Sequence, residues 1–132
     1  MRTPAEILSE ARTIALVGAS PNPARPSHRV MRYLLEQGYR VIPVRPAVRE
    51  VLGQPCVPSL AEVAEHIDVV DVFRRPDACP QVAEDAVAAG AGALWLQLGI
   101  VSPQARAVAE AGGLDYVEDA CTAIVHRTLA LT

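Results

Sequence analysis

One segment near the amino terminus constrains the fold more than any other: Thr13–Ser20, with the sequence TIALVGAS. A short β-branched, apolar run ends at Gly18, and a proline-rich loop separates it from the amphipathic run Ser27–Gln37. This order predicts a strand, a tight turn and a helix, which together form the opening unit of a nucleotide-binding parallel sheet. Ser27 is predicted to cap the helix.

The rest of the chain continues the alternation of short apolar strands and helical periods. Capping boxes at Thr3–Glu6 and Ser59–Glu62 predict two further helix starts, whereas Val48–Pro58 is predicted to be an irregular connection. The predicted strands are Thr13–Val17, Arg40–Val44, Asp68–Phe73, Ala93–Leu98 and Leu114–Val117. We therefore predict one domain, residues 1–132, of the α/β class, with a three-layer, doubly wound parallel sheet of about five strands.

Composition and charge narrow the function classes. The net charge of −3 disfavours a general nucleic-acid binder, because phosphate backbones recruit basic surfaces. All 12 basic side chains are arginines, so the chain offers no lysine for Schiff-base chemistry or for a phosphate loop.

The cysteines and the apolar runs bear on the compartment. The 3 cysteines are far apart and have no metal-ligand spacing, which favours reduced thiols in a cytoplasmic protein. No basic region followed by an apolar stretch predicts a signal peptide. No apolar run approaches the ~20 residues that span a bilayer, so we expect no membrane partner.

Polar and cationic residues follow four of the predicted strands. Ligands of a doubly wound sheet bind outside the carboxyl ends of its strands, where the strand order reverses. With the strand order 3-2-1-4-5, four strand ends would converge on one crevice. These ends are Gly18-Ala19-Ser20, Val44-Arg45-Pro46, Phe73-Arg74-Arg75-Pro76 and Gln97-Leu98-Gly99.

Such a crevice would contain groups that bind phosphate. Gly18 permits close backbone approach, Ser20 and Ser27 offer hydroxyls, and Arg25 precedes a helix whose free N–H groups favour an anion. Arg45 stands where an NAD site usually has an acidic residue, which favours a nucleotide with an additional phosphate near its ribose. The glycines of the G-x-G-x-x-G fingerprint are incomplete, which disfavours a standard dinucleotide site.

Each of these residues also has a purely structural interpretation. Gly18 could merely end a strand, Arg45 could be a solvated cation, and the Arg74-Arg75 pair could bind surface carboxylates for about 0–1 kcal/mol. Gln97 is the best neutral group for a ligand's amide or hydroxyl, and its alternative is a hydrogen bond to the adjacent loop. The prediction of a site therefore depends on the convergence of the strand ends.

Other reactive side chains are weaker candidates. Cys121 and His126 could form a catalytic pair, although Cys121 and Cys79 are more typical of small buried hydrophobic residues. Asp68 is expected at the start of its strand, and Asp71 is expected to contact a neighbouring strand end or the backbone. We predict neither a catalytic residue nor a metal site.

Four segments carry a resemblance to a known family: IALVGASPNPARPSHRVMRYLLEQGYRVIPVRP, DVVDVFRRP, WLQLGIV and DACTAIVHRTL. The chain resembles the CoA-binding domain family, whose fold also occurs in the N-terminal domain of the succinyl-CoA synthetase α subunit. The resemblance implies a Rossmann-like sheet that binds coenzyme A. The chain departs from the family in having Arg45 where asparagine is frequent.

The resemblance also implies a role for each strand end. The diphosphate would lie on Gly18, Ala19 and Ser20, with Arg25 and Ser27 beyond. Val44, Arg45 and Pro46 would hold the adenosine, with Arg45 near the 3′-phosphate. The rest of the groove would be lined by Phe73, Arg74, Arg75, Gln97 and Gly99.

The function expected from the sequence is therefore binding of coenzyme A or an acyl-CoA without catalysis, as in a sensor, carrier or regulatory protein. The synthetase's phosphorylated histidine is not matched, so its catalytic roles are not carried over. The alternatives are an NADP-binding redox sensor or oxidoreductase-related protein and an interaction module whose pocket has degenerated. Exposed apolar surface on so small a domain could also support a homodimer or a contact with an unknown protein partner.

Overall fold

The alternation of strands and helices is confirmed by the computed structural model, which describes residues 1–130. Two 3₁₀ turns, Leu60–Glu62 and Pro76–Ala78, flank the third strand of the main sheet. The other elements in chain order are α1 (Pro4–Glu10), β1 (Thr13–Val17), α2 (Pro26–Glu36), β2 (Arg40–Val44), β3 (Glu50–Val51), β4 (Gln54–Pro55), β5 (Val69–Val72), α3 (Cys79–Ala88), β6 (Ala93–Leu96), α4 (Pro103–Ala111), β7 (Asp115–Val117) and α5 (Thr122–Ala130).

The main sheet is parallel and has the order β2-β1-β5-β6-β7. The predicted order 3-2-1-4-5 counts the five predicted strands along the chain and corresponds to β5-β2-β1-β6-β7. It is wrong, because β5 lies next to β1, on the side opposite β2. Pro43 gives a physical reason: a residue without an N–H is tolerated in an edge strand and disfavoured in a central one. The backbone carbonyl of Pro43 points away from β1 and accepts the N–H of Val57 at 3.1 Å.

Apolar side chains cover both faces of the sheet. Ala15 and Val17 belong to the core beneath α3 and α4, whereas Ile14 and Leu16 belong to the core beneath α1, α2 and α5. This alternation follows from the two-residue period of a strand. The three-layer, doubly wound α/β fold is thus confirmed.

Helix starts follow the sequence signals in part. The capping box at Thr3–Glu6 is confirmed. Ser27 does not cap α2, because the helix begins at Pro26 with Arg25 as its N-cap, and proline suits the first helical position. The box at Ser59–Glu62 is also wrong, since only a 3₁₀ turn forms there, with no side-chain cap.

The segment Val48–Pro58, predicted to be irregular, contains a short antiparallel hairpin of β3 and β4. Its turn residues Leu52 and Gly53 both have positive φ, 50° and 76°, as a two-residue hairpin turn requires. The chain after the hairpin then returns to β2, where Val57 bridges Val44. This return closes the open edge of the sheet beside the carboxyl end of β2.

Candidate functional site

The strand order reverses at β1, because its neighbours are β2 on one side and β5 on the other. Ligands of doubly wound sheets bind outside the carboxyl ends of the strands at such a point. Both the predicted and the observed order put the reversal beside β1. The crevice therefore lies where the sequence predicted it, although the predicted order was wrong.

Two adjoining pockets form this crevice. We call them the β2-side pocket, of about 440 Å³, and the α5-side pocket, of about 740 Å³. Both volumes fall within the range of small-molecule sites. The residues that line both pockets are Gly18, Arg45, Phe73 and Arg74.

Gly18 joins three strand ends. Its N–H donates to the carbonyl of Val44 at 3.0 Å, and its φ of +88° lies in the region that favours glycine. A Cβ at this position would collide with the carbonyl oxygen of Phe73. The glycine therefore has a packing role, and the same lack of a side chain leaves the backbone open to a ligand.

The amino end of α2 opens into the α5-side pocket. Arg25 and Ser27 line this pocket, and the N–H of Ser27 donates to no acceptor within residues 1–130. His28 fixes the preceding loop, because its Nδ1 lies 2.9 Å from the carbonyl oxygen of Ser20. Free N–H groups and the helix dipole make such an end suitable for a phosphate group.

Four guanidinium groups lie around the crevice. Arg75 approaches Asp77 at 3.5 Å, but the two side chains are 82% and 74% exposed, so this pair contributes little. Within residues 1–130 the other three form no salt bridge. The four are Arg25, Arg45, Arg74 and Arg75. A chain of net charge −3 therefore concentrates largely unneutralised positive charge at this edge of the sheet.

Gln97 reaches the crevice from a buried hydrogen-bond network. Its Nε2 donates to Oδ1 of Asp71 at 2.6 Å and to Oγ1 of Thr122 at 2.9 Å. The hydroxyl of Thr122 donates to the other oxygen of Asp71, Oδ2, at 3.0 Å. The expected contact of Asp71 with a neighbouring strand end is confirmed, whereas the alternative bond from Gln97 to its adjacent loop does not form.

The carboxyl group of Asp71 has an unusual environment. The residue is fully buried, and its hydrogen-bond partners, Gln97 and Thr122, are both neutral. Burial raises the pKa of Asp71 from 3.8 to about 7, and the two hydrogen bonds oppose this rise. By contrast Asp68, which immediately precedes β5 and so lies close to the expected strand start, accepts the N–H groups of Arg12 and Thr13.

Apolar side chains line the two ends of the crevice. In the β2-side pocket they include Val17, Val44, Pro46, Leu60 and Val82, and Asp85 lines the same pocket. In the α5-side pocket they include Leu98, Ile100 and Ile124, and Cys121 lines the same pocket. Leu98 and Ile124 are 65% and 52% exposed, so the far wall of this pocket is an open apolar surface.

The structure brings most of the predicted site residues together. Those that line the crevice are Gly18, Ser20, Arg25, Ser27, Val44, Arg45, Pro46, Phe73, Arg74, Arg75 and Gln97. Ala19 and Gly99 lie outside it: Ala19 is fully buried, and the N–H of Gly99 donates to Oδ1 of Asp119 at 2.7 Å. The role of each lining residue in binding stays a prediction.

Several residues of the crevice were missed from the sequence. Leu60 and Asp85 lie far along the chain from any strand end that the sequence marked, and tertiary packing brings them to β2 and β5. Thr122 is buried and does not line the crevice, but its contacts with Gln97 and Asp71 were also missed, because Asp71 is 51 residues away and no local pattern pairs the two.

The remaining reactive groups do not assemble. Nδ1 of His126 lies 2.8 Å from the hydroxyl of Tyr33. The His126 side chain lines a separate pocket, which Arg12 also lines, whereas Cys121 lines the crevice. The candidate pair Cys121–His126 therefore does not form. Cys79 is buried, which raises the pKa of its thiol.

Residues 1–130 contain neither a candidate metal site nor a candidate membrane-spanning helix. No group of three or more His, Cys, Asp or Glu side chains in this range is placed to hold a metal ion. None of the helices in the same range has the length and apolar character needed to cross a bilayer.

Comparisons with known proteins agree with this geometry. A family model described as "CoA binding domain" matches residues 12–127. The uncharacterized protein YneT of Bacillus subtilis is 39% identical over 121 residues, which are 92% of this chain and 90% of YneT. The structure of a hypothetical protein from Pyrococcus horikoshii, 39% identical, superposes with a TM-score of 0.93 over 98% of this chain and 93% of that one.

A more distant relative is much longer. Acetate–CoA ligase (ADP-forming) I of Archaeoglobus fulgidus is 24% identical over a gapped alignment of 136 positions, which covers 96% of this chain but 20% of the ligase. The chain is thus homologous to the CoA-binding region of ADP-forming acetyl-CoA synthetases. With its Rossmann-like sheet and a family match over nearly its whole length, the chain belongs to the CoA-binding domain family.

Proposed function

We propose that this chain binds coenzyme A, or an acyl-CoA, in the crevice at the carboxyl ends of its strands. The bound cofactor would run from the β2-side pocket to the α5-side pocket. No catalytic step is included in the proposal, and the binding would serve a sensor, carrier or regulatory role. Membership of the CoA-binding domain family supports the ligand class.

The observation that carries the proposal is the set of guanidinium groups around the crevice. Three of them, on Arg25, Arg45 and Arg74, have no carboxylate partner within residues 1–130. A guanidinium that grips phosphate forms short, charge-assisted hydrogen bonds, which are stronger than neutral ones. Coenzyme A carries three phosphate groups, so its charge complements this edge of the sheet.

Successive parts of the crevice suit the successive parts of coenzyme A, which are the adenine, the diphosphate and the pantetheine arm. The β2-side pocket is largely apolar and would hold the adenine, with Asp85 available as an acceptor for its exocyclic amino group. Gly18 and the free N–H at Ser27 would hold the diphosphate. The open apolar wall at Leu98 and Ile124 would then lie along the pantetheine arm.

Arg45 is the proposed contact of the 3′-phosphate. It lines both pockets, and its Nη1 lies 3.4 Å from the carbonyl oxygen of Ala19, which holds the guanidinium above the loop after β1. Dephospho-CoA lacks this phosphate and is otherwise the same molecule. It therefore isolates the contribution of Arg45.

Isothermal titration calorimetry with coenzyme A, dephospho-CoA, NAD, NADP and ATP tests the proposal. We expect coenzyme A to bind most tightly and dephospho-CoA to bind roughly tenfold to a hundredfold more weakly, because one charge-assisted contact contributes about 1.5–3 kcal/mol. Arg45→Gln should reduce the affinity for coenzyme A to the value that the wild type has for dephospho-CoA. The affinity for dephospho-CoA itself should not change.

Arg49→Gln is the matched control, since Arg49 is exposed and lines neither pocket. It removes the same charge and should leave both affinities unchanged. Tighter binding of NADP than of coenzyme A would contradict the proposal in favour of the redox alternative. The absence of binding across the whole panel would contradict it in favour of an interaction module.

A further inference from the structure

The side-chain amide of Gln97 is held in one orientation by its buried partners. The ionised carboxylate of Asp71 can only accept hydrogen bonds. The hydroxyl proton of Thr122 is directed to Asp71, so its oxygen accepts from Gln97. A reversed amide would place Oε1 in the position now held by Nε2, 2.6 Å from a carboxylate oxygen. While Asp71 is ionised, the network therefore fixes which end of the amide faces inward.

The other end of the amide faces the crevice. Gln97 lines the α5-side pocket although only 3% of the residue is exposed. No hydrogen bond within residues 1–130 uses its Oε1, and no buried side-chain oxygen in that range lacks a partner. Oε1 therefore retains access to the pocket, where it is a fixed acceptor without a protein donor.

We propose that Asp71 and Thr122 are positioning residues, which hold the carbonyl oxygen of Gln97 toward the crevice and so select a ligand that donates an N–H or O–H at this point. The inference rests on the proposed function and names the part of the cofactor concerned. The pantetheine arm of coenzyme A has two amide N–H groups and a hydroxyl, whereas a purely apolar arm would leave Oε1 unsatisfied. An unsatisfied acceptor of this kind would weaken binding by about fivefold or more.

The position of Gln97 in the sheet separates it from the phosphates. Gly18 follows β1 and Gln97 follows β6, and β5 lies between them. Two strand spacings amount to roughly 10 Å. A cofactor whose diphosphate lies at Gly18 therefore presents its pantetheine arm to Gln97. The nucleotide half of the cofactor would not reach this side chain.

A double-mutant cycle with two ligands tests the inference. The ligands are coenzyme A and adenosine 3′,5′-bisphosphate, which keeps the adenosine, the 3′-phosphate and the first phosphate of the diphosphate and lacks the second phosphate and the pantetheine arm. The variants are Asp71→Asn, Gln97→Met and the double variant, with affinities measured by calorimetry at about pH 8. An asparagine at 71 offers both a donor and an acceptor, so it no longer fixes the amide of Gln97.

We expect each single variant to lower the affinity for coenzyme A about fivefold to tenfold. The affinity for adenosine 3′,5′-bisphosphate should stay within about twofold of the wild-type value. The double variant should bind coenzyme A as Gln97→Met does, because Asp71 acts through Gln97. Equal losses for both ligands, or additive losses in the double variant, would overturn the positioning role. Wild-type protein that binds neither ligand would instead contradict the proposed function itself.

Substitutions at Thr122 provide a second readout that does not alter charge. Thr122→Ser keeps the hydroxyl and should retain wild-type affinity for coenzyme A, whereas Thr122→Val should lose affinity for coenzyme A alone. Thr128→Val on the same helix is the control, because Thr128 is exposed and donates only to the backbone of Ile124. Equal behaviour of Thr122→Ser and Thr122→Val would also overturn the inference.

Discussion

Asp71 links the buried core to the crevice through a single carboxyl group. It lies in the middle of the sheet, in register with Leu16 of β1 and Trp95 of β6. Burial raises its pKa to about 7, so the folded protein binds this proton more tightly than the unfolded chain does. Ionisation of Asp71 therefore favours unfolding over the interval between the two pKa values.

The pH dependence of stability should reveal this group. Its contribution to the free energy of unfolding should be fully present below about pH 4, decline between about pH 4 and 7, and be absent above that range. Asp71→Asn removes the titrating group. The free energy of unfolding of this variant, relative to that of the wild type, should therefore increase across the same interval by up to about 4 kcal/mol. Urea unfolding at several pH values measures this difference.

Asp77→Asn is the control for that experiment, since Asp77 is an exposed carboxylate whose side chain is 74% accessible. Its stability curve should follow that of the wild type. Parallel curves for wild type and Asp71→Asn would show that burial does not shift the titration of Asp71.

At the scale of elements, the crevice depends on how closely the strand ends approach one another. The loop after β1 bonds to the end of β2 through the N–H of Gly18, and the same glycine leaves no room for a Cβ against Phe73. The backbone ends of three neighbouring strands are therefore packed before any ligand arrives. The guanidinium groups of Arg45 and Arg74 extend from this packed base.

Replacement of Gly18 by alanine should loosen that packing. Gly18→Ala adds both a positive-φ strain and a backbone collision, and we expect it to destabilise the protein by roughly 2–3 kcal/mol or more. Gly113→Ala is the matched control, because Gly113 has a φ of +79° with open space around it. It should show the strain alone. Equal destabilisation by the two substitutions, measured by urea unfolding, would contradict the packing role of Gly18.

The elements were more predictable than their arrangement. The run Thr13–Val17 is bounded by polar residues and a glycine, and its bounds were predicted correctly. The order of the strands was not, because it depends on tertiary packing; Pro43 was a local sign of an edge strand that the pattern of apolar residues obscured. The Asp71–Gln97–Thr122 network joins residues 25 to 51 positions apart, which no local pattern reveals.

At the scale of the whole molecule, charge is distributed unevenly. The chain as a whole is acidic, with a net charge of −3, yet four arginines face one crevice. Such a field attracts a phosphorylated ligand while leaving the protein a poor partner for nucleic acid in general. The exposed apolar side chains Leu98 and Ile124 line the α5-side pocket. A homodimer stays a prediction.

A crystal structure of the complex with coenzyme A tests the central claim most directly. We expect the diphosphate beside Gly18 at the amino end of α2, the 3′-phosphate within hydrogen-bond distance of the Arg45 guanidinium, and a pantetheine donor on Oε1 of Gln97. Electron density for the cofactor at any other surface, with the strand-end crevice left empty at saturating ligand, would contradict the account.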